Sequence, residues 1–148
     1  MNGLINKFNK EGNHVAKNIL IAFVLILLLA VPGISVSGVS TELTQAYCTS
    51  VLKGNWSVNS CTIPSGKSGE VPAGDSLVVL TGTAIVVDGT LTVNGTLNLG
   101  GGNVGTNGTG TITNNNVIEH RTPGEGLKNY GTFNNNGLLL VAYGATLG

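Results

Sequence analysis

The stretches GTLTVNGTLNLG (89–100), GTITNNNVIEH (110–120) and GTFNNNGLLLV (131–141) decide the architecture of this 148-residue chain. Their opening triplets, Gly89-Thr90-Leu91, Gly110-Thr111-Ile112 and Gly131-Thr132-Phe133, start 21 residues apart. The register then holds: Asn94, Asn115 and Asn136 align, as do Leu97, Ile118 and Leu139, then Leu99, His120 and Val141. A fixed period of this length marks a stacked repeat, in which each unit buries its apolar face against its neighbours. A shorter pattern overlies the first copy: GTAIVV (82–87), then Asp88, then GTLTVN (89–94) and GTLNLG (95–100). Within it Ile85/Val87, Leu91/Val93 and Leu97/Leu99 are apolar pairs two apart, with Asp-Gly or Asn-Gly between them. Period-two alternation is a strand with one buried face, and those dipeptides are turn signals.

Short strands, sharp polar turns and the longer period predict an all-β fold, a short parallel β-solenoid over residues 62–148. Its 87 residues make about four coils of ~21 residues. Each circuit lies one strand spacing above the last, so equal repeat positions become columns. Leu91/Ile112/Phe133 and Leu97/Ile118/Leu139 should fill the interior, and Asn94/Asn115/Asn136 should form an amide ladder. Glycine at the Gly-Thr corners is expected for its backbone freedom. Thr62–Thr81 reads as a first, looser coil through Leu77/Val79, and Gly100–Thr109 and Arg121–Tyr130 read as loops. A sandwich of antiparallel hairpins would also use Asn-Gly turns, but it does not require a fixed register.

The pattern resembles the parallel β-helix segments of secreted and cell-surface proteins, in which glycine-threonine-aliphatic and Asn-Gly-Thr runs recur coil after coil. The three stretches quoted above carry that resemblance, which covers about half the chain. It implies architecture, and it leaves polysaccharide lyases, adhesins, surface-layer components and passenger domains all open.

Upstream, Ile19–Val31 is thirteen uninterrupted apolar residues preceded by Lys7, Lys10 and Lys17. Residues 1–38 therefore read as a signal peptide, with small residues at Val36-Ser37-Gly38 for cleavage, or as a retained membrane anchor. A hydrophobic helix is expected there, and both readings put the rest of the chain in the extracellular space or on the cell surface. Residues 39–61 read as a linker region closed by a disulfide between the only two cysteines, Cys48 and Cys61; two separate buried thiols are the alternative. Asn55, Asn94 and Asn107 each open an N-x-S/T sequon and are glycosylation candidates.

Composition narrows the function further. Charged residues are 9% of the chain and the formal net charge is zero, so there is no cationic footprint for nucleic acid. Carboxylates after Cys61, among them Asp75, Asp88, Glu119 and Glu125, are scattered, and no nucleophile motif occurs. Neither a metal site nor a cofactor is expected, since Cys48 and Cys61 have no nearby histidine. The one concentration of reactive side chains is Glu119, His120, Arg121, Glu125 and Lys128, with Tyr130 after it. It is either a small acid/base or sugar-contacting patch or a solvated loop with His120 partly buried. In the coil register Glu119 shares the outward column of Asn98 and Leu140, and His120 that of Leu99 and Val141. The apolar last coil, Leu138–Val141 with Tyr143, is expected to be covered by another subunit or by further repeats. Together these features predict an exported, non-catalytic structural protein acting in surface assembly or adhesion, with a filament or lattice subunit as one form it could take. Its partners would be copies of itself or a surface polysaccharide, and the membrane if the N-terminal segment is retained. A carbohydrate-active enzyme or polysaccharide-binding module of the parallel β-helix type is the alternative.

Overall fold

A computed structural model of the chain describes residues 40–142 and 145–147. The predicted hydrophobic segment and the 1–38 boundary lie outside the described residues. Among those that are described, no helix is long and apolar enough to cross a membrane.

The repeat region is a parallel β-solenoid with three faces. The first face stacks β3 (Ser60–Ile63), β6 (Ala84–Val87), β9 (Asn103–Thr106), β12 (Gly124–Asn129) and β15 (Ala145–Leu147). The second stacks β4 (Ser68–Val71), β7 (Thr90–Val93), β10 (Thr111–Asn114) and β13 (Thr132–Asn135). The third stacks β5 (Ser76–Leu80), β8 (Thr96–Gly100), β11 (Val117–His120) and β14 (Leu138–Val141). Each coil visits the three faces in turn, which makes four coils, and β15 pairs with β12 as the start of another circuit.

The expected columns are real. Ile112 pairs in parallel with both Leu91 and Phe133, and Ile118 with both Leu97 and Leu139. The Asn ladder forms too: Asn136 Nδ2 donates to Asn115 Oδ1 at 3.0 Å, and Asn115 Nδ2 to Asn94 Oδ1 at 2.9 Å. It ends on Glu70, whose Oε1 accepts from Asn94 Nδ2 at 2.8 Å.

Two expectations need correcting. The stretches read as loops, Gly100–Thr109 and Arg121–Tyr130, supply β9 and β12 of the first face. One aliphatic each suffices, because Val104 and Leu127 enter the interior column above Ile85 while the backbone pairs from coil to coil. The corner glycines divide: Gly82 and Gly108, each before a threonine, have positive φ as expected, at 82° and 54°, but the others serve a different purpose. Gly89, Gly95, Gly110 and Gly131 are not in the left-handed region. A Cβ on any of them would lie 1.8–2.3 Å from a carbonyl oxygen of the preceding coil, so close stacking, not backbone freedom, excludes other residues.

Each strand sends two side chains inward. The first inward row is aliphatic on all three faces of the second and third coils: Ile85, Leu91 and Leu97, then Val104, Ile112 and Ile118, all 1% exposed or less. The second row changes character between them. In the second coil it is Val87, Val93 and Leu99; in the third it is Thr106, Asn114 and His120, equally buried.

Residues 40–57 close the N-terminal end of the stack. Strand β1 (Ser40–Glu42) pairs in parallel with β5, and β2 (Asn55–Ser57) pairs antiparallel with β3. Between them helix α1 (Gln45–Ser50) starts at Thr44, whose Oγ1 accepts from the Tyr47 N–H at 3.2 Å, an ordinary N-cap. Leu43, Tyr47 and Leu52 join the core cluster. The Cys48–Cys61 disulfide, with Cα atoms 5.6 Å apart, ties α1 to the first strand of the stack. By the chain-entropy estimate such a loop is worth about 3 kcal/mol. Burial, helped by the nearby Asp75 charge, pushes the Tyr47 hydroxyl up to about 12.

Candidate functional site

The structure disperses the predicted patch. Glu119 faces outward from β11 and is joined to Arg121 by a 2.9 Å ion pair, with the arginine side chain 63% exposed. Pairs of that kind contribute little to stability. His120, the next residue, points the other way because strand side chains alternate, and it is fully buried. Gly126 of the following coil lies over its ring: a Cβ there would meet Nε2 at 2.1 Å. Neither imidazole nitrogen has a hydrogen-bond partner, so His120 occupies a core position and is closed to a ligand. Glu125 lies in β12, and Lys128 further along the same strand belongs to a different face of the solenoid from Glu119.

The other two buried polar residues are satisfied. Asn114 Nδ2 donates to Asn135 Oδ1 at 2.7 Å and to the Leu138 carbonyl at 3.1 Å. Thr106 Oγ1 donates to Asn129 Oδ1 at 2.8 Å and accepts from the N–H groups of Tyr130 and Gly131, at 2.9 and 2.7 Å. Asn129 Nδ2 closes the same corner on the Gly131 carbonyl at 3.1 Å.

That corner borders a surface groove of about 190 Å³ on the first face. Val86, Gly105 and Lys128 are successive rungs of one outward column. The middle rung has no side chain, so the column is hollow there. Ala84 continues the floor, and Asn107 and Tyr130 stand at the strand ends. Tyr130 is 72% exposed, although its backbone is held by the buried Thr106 hydroxyl. Sequence reading found Tyr130 and Lys128 but missed the groove, whose decisive residue is the absent side chain of Gly105.

Of the sequon asparagines, Asn55 and Asn107 are exposed, whereas the Asn94 amide is engaged at both ends in the ladder. Among the described residues no three His, Cys, Asp or Glu side chains are grouped to hold a metal ion. Comparison with family models, with characterised proteins and with solved structures finds no match to this chain.

Proposed function

We propose that this chain is an exported, non-catalytic structural protein of the cell surface or extracellular space, acting in assembly or adhesion. The observation that carries the reading is the covalently tied cap on a regular stack. A disulfide that fastens a cap to the first coil is a device of oxidising compartments, and it agrees with the lysine-flanked apolar segment upstream. The stack itself presents repeating, weakly charged faces. On the second face Thr90, Thr111 and Thr132 form one outward rank, with Thr92 and Thr113 beside them.

The cap also shapes the assembly. A head-to-tail filament needs both ends of the stack, and β1, α1 and β2 occupy the N-terminal end. Contacts between copies therefore run through the lateral faces or the far end. The dispersal of Glu119, His120 and Lys128 favours this reading over the carbohydrate-active enzyme, which would need its acid and base to converge on one sugar.

Two experiments test it. Intact cells expressing the full chain, treated with an external protease, should lose the protein, and the exported chain should carry no free thiol. Full protection of a reduced chain inside the cell would contradict export. Incubation with acidic polysaccharides should release no unsaturated or reducing ends; their steady release would overturn the non-catalytic assignment.

A further inference from the structure

We infer that the groove around Gly105 binds one pyranose unit of a polysaccharide, with Tyr130 as its stacking platform. The inference rests on the surface reading above, which would bring the groove into contact with such polymers. Three features carry it.

The first is shape. Val86 and Lys128 stand two strand spacings apart, about 9.6 Å, with Gly105 between them. Allowing for the two flanking side chains, that leaves room for the puckered ring of one sugar. Gly105 cannot be filled without disturbing the stack, because a Cβ there would lie 2.8 Å from the Lys128 carbonyl oxygen.

The second is the mounting of the aromatic. An exposed tyrosine in a mobile loop would need no explanation. Tyr130 instead sits on a corner fixed by the Thr106 and Asn129 bonds, so its backbone is ordered before any ligand arrives. An aromatic on a fixed backbone has only its two side-chain torsions left to lose on binding. Aromatics beside a concavity are common anchors of recognition.

The third is chemistry. A sugar ring offers an apolar C–H face and a rim of hydroxyls. The groove offers the Tyr130 ring and the aliphatic side chains of Ala84 and Val86 to the first, and the Asn107 amide to the second. A nucleic acid would want more cations than the single lysine among these residues.

The test uses the purified full chain with two probes, cellohexaose as a neutral glucan and hexagalacturonate as an acidic one, titrated calorimetrically. At least one should bind. Tyr130→Ala should weaken that binding about tenfold or more, while Tyr130→Phe should hold it within about twofold. Both variants should keep the parent melting temperature, because the side chain is mostly exposed. Binding of hexagalacturonate alone would assign the polymer as acidic; binding of cellohexaose would assign it as neutral. Absence of binding by both probes up to millimolar concentration, or binding that Tyr130→Ala leaves intact, would overturn the inference. Either failure would leave the export measurements on cells untouched, so the two readings fall separately.

Discussion

The second and third coils share a backbone but not an interior. Their strands pair in register on all three faces, and their first inward rows are both aliphatic. The second row is Val87, Val93 and Leu99 in one and Thr106, Asn114 and His120 in the other. The inward side chains of the second coil are held by apolar burial alone. The third depends in part on hydrogen bonds sent upward to Asn129 and Asn135 of the fourth coil. A stacked repeat can therefore keep its geometry while changing what stabilises it, because nearest neighbours and not the whole chain set each coil's energy. The polar row also fixes register, since a coil displaced by one residue would strand two buried side chains without partners.

Substitutions should break or sharpen this contrast. The largest effect belongs to Leu97→Ala, which opens a cavity in the fully buried second coil and should cost about 2–5 kcal/mol in chemical unfolding. Leu139→Ala, in the same column but only partly buried in the fourth coil, should cost distinctly less. Next comes Asn114→Ala, which strips Asn135 and the Leu138 carbonyl of a donor and should cost about 1–3 kcal/mol. His120→Leu should act in the opposite sense. It replaces two unpartnered nitrogens with the residue type of the rung below, Leu99, and should raise the unfolding midpoint by an amount equivalent to about 1 kcal/mol. A midpoint that falls with this variant would mean the imidazole has a structural role that its surroundings do not show.

The smallest effect lies in the cap and serves as a control outside both coils. The fold favours the protonated Tyr47 hydroxyl, whose titration is raised from 10.0 to about 12. Its contribution is fully present below pH 10 and is lost as the pH climbs toward about 12. Tyr47→Phe should flatten that alkaline loss in a stability–pH profile while leaving neutral stability nearly unchanged.

How far the sequence was legible depends on the face. On the second face Leu91, Ile112 and Phe133 are 21 residues apart, and on the third Leu97, Ile118 and Leu139 are too, so both columns could be read directly. On the first face the column runs Cys61, Ile85, Val104, Leu127, with steps of 24, 19 and 23 residues. Corners of unequal length absorb the difference, and a fixed-period search passes over it. The same irregularity hid Glu70, which ends the Asn ladder 24 residues before Asn94. The cap was illegible for another reason. Its strands do not repeat, and its β2–β3 hairpin turns through Val58 and Asn59 at positive φ, where valine is an improbable choice. The disulfide was readable from two cysteines in one short segment, but its task of fastening a helix across the end of the stack was not. The candidate site followed the same rule. Glu119 and His120 were placed by strand alternation, whereas the groove arises from a missing side chain on the face whose period drifts most.

The central claim is that successive circuits lie in parallel, one above another. Proton–proton nuclear Overhauser contacts on isotopically labelled chain test it most directly. The account predicts backbone contacts from the strand around Ile112 to those around both Leu91 and Phe133, in the offset pattern of parallel neighbours. Close Hα–Hα contacts between 84–87 and 90–93, as in an antiparallel hairpin, with none joining Leu91 to Ile112, would contradict it.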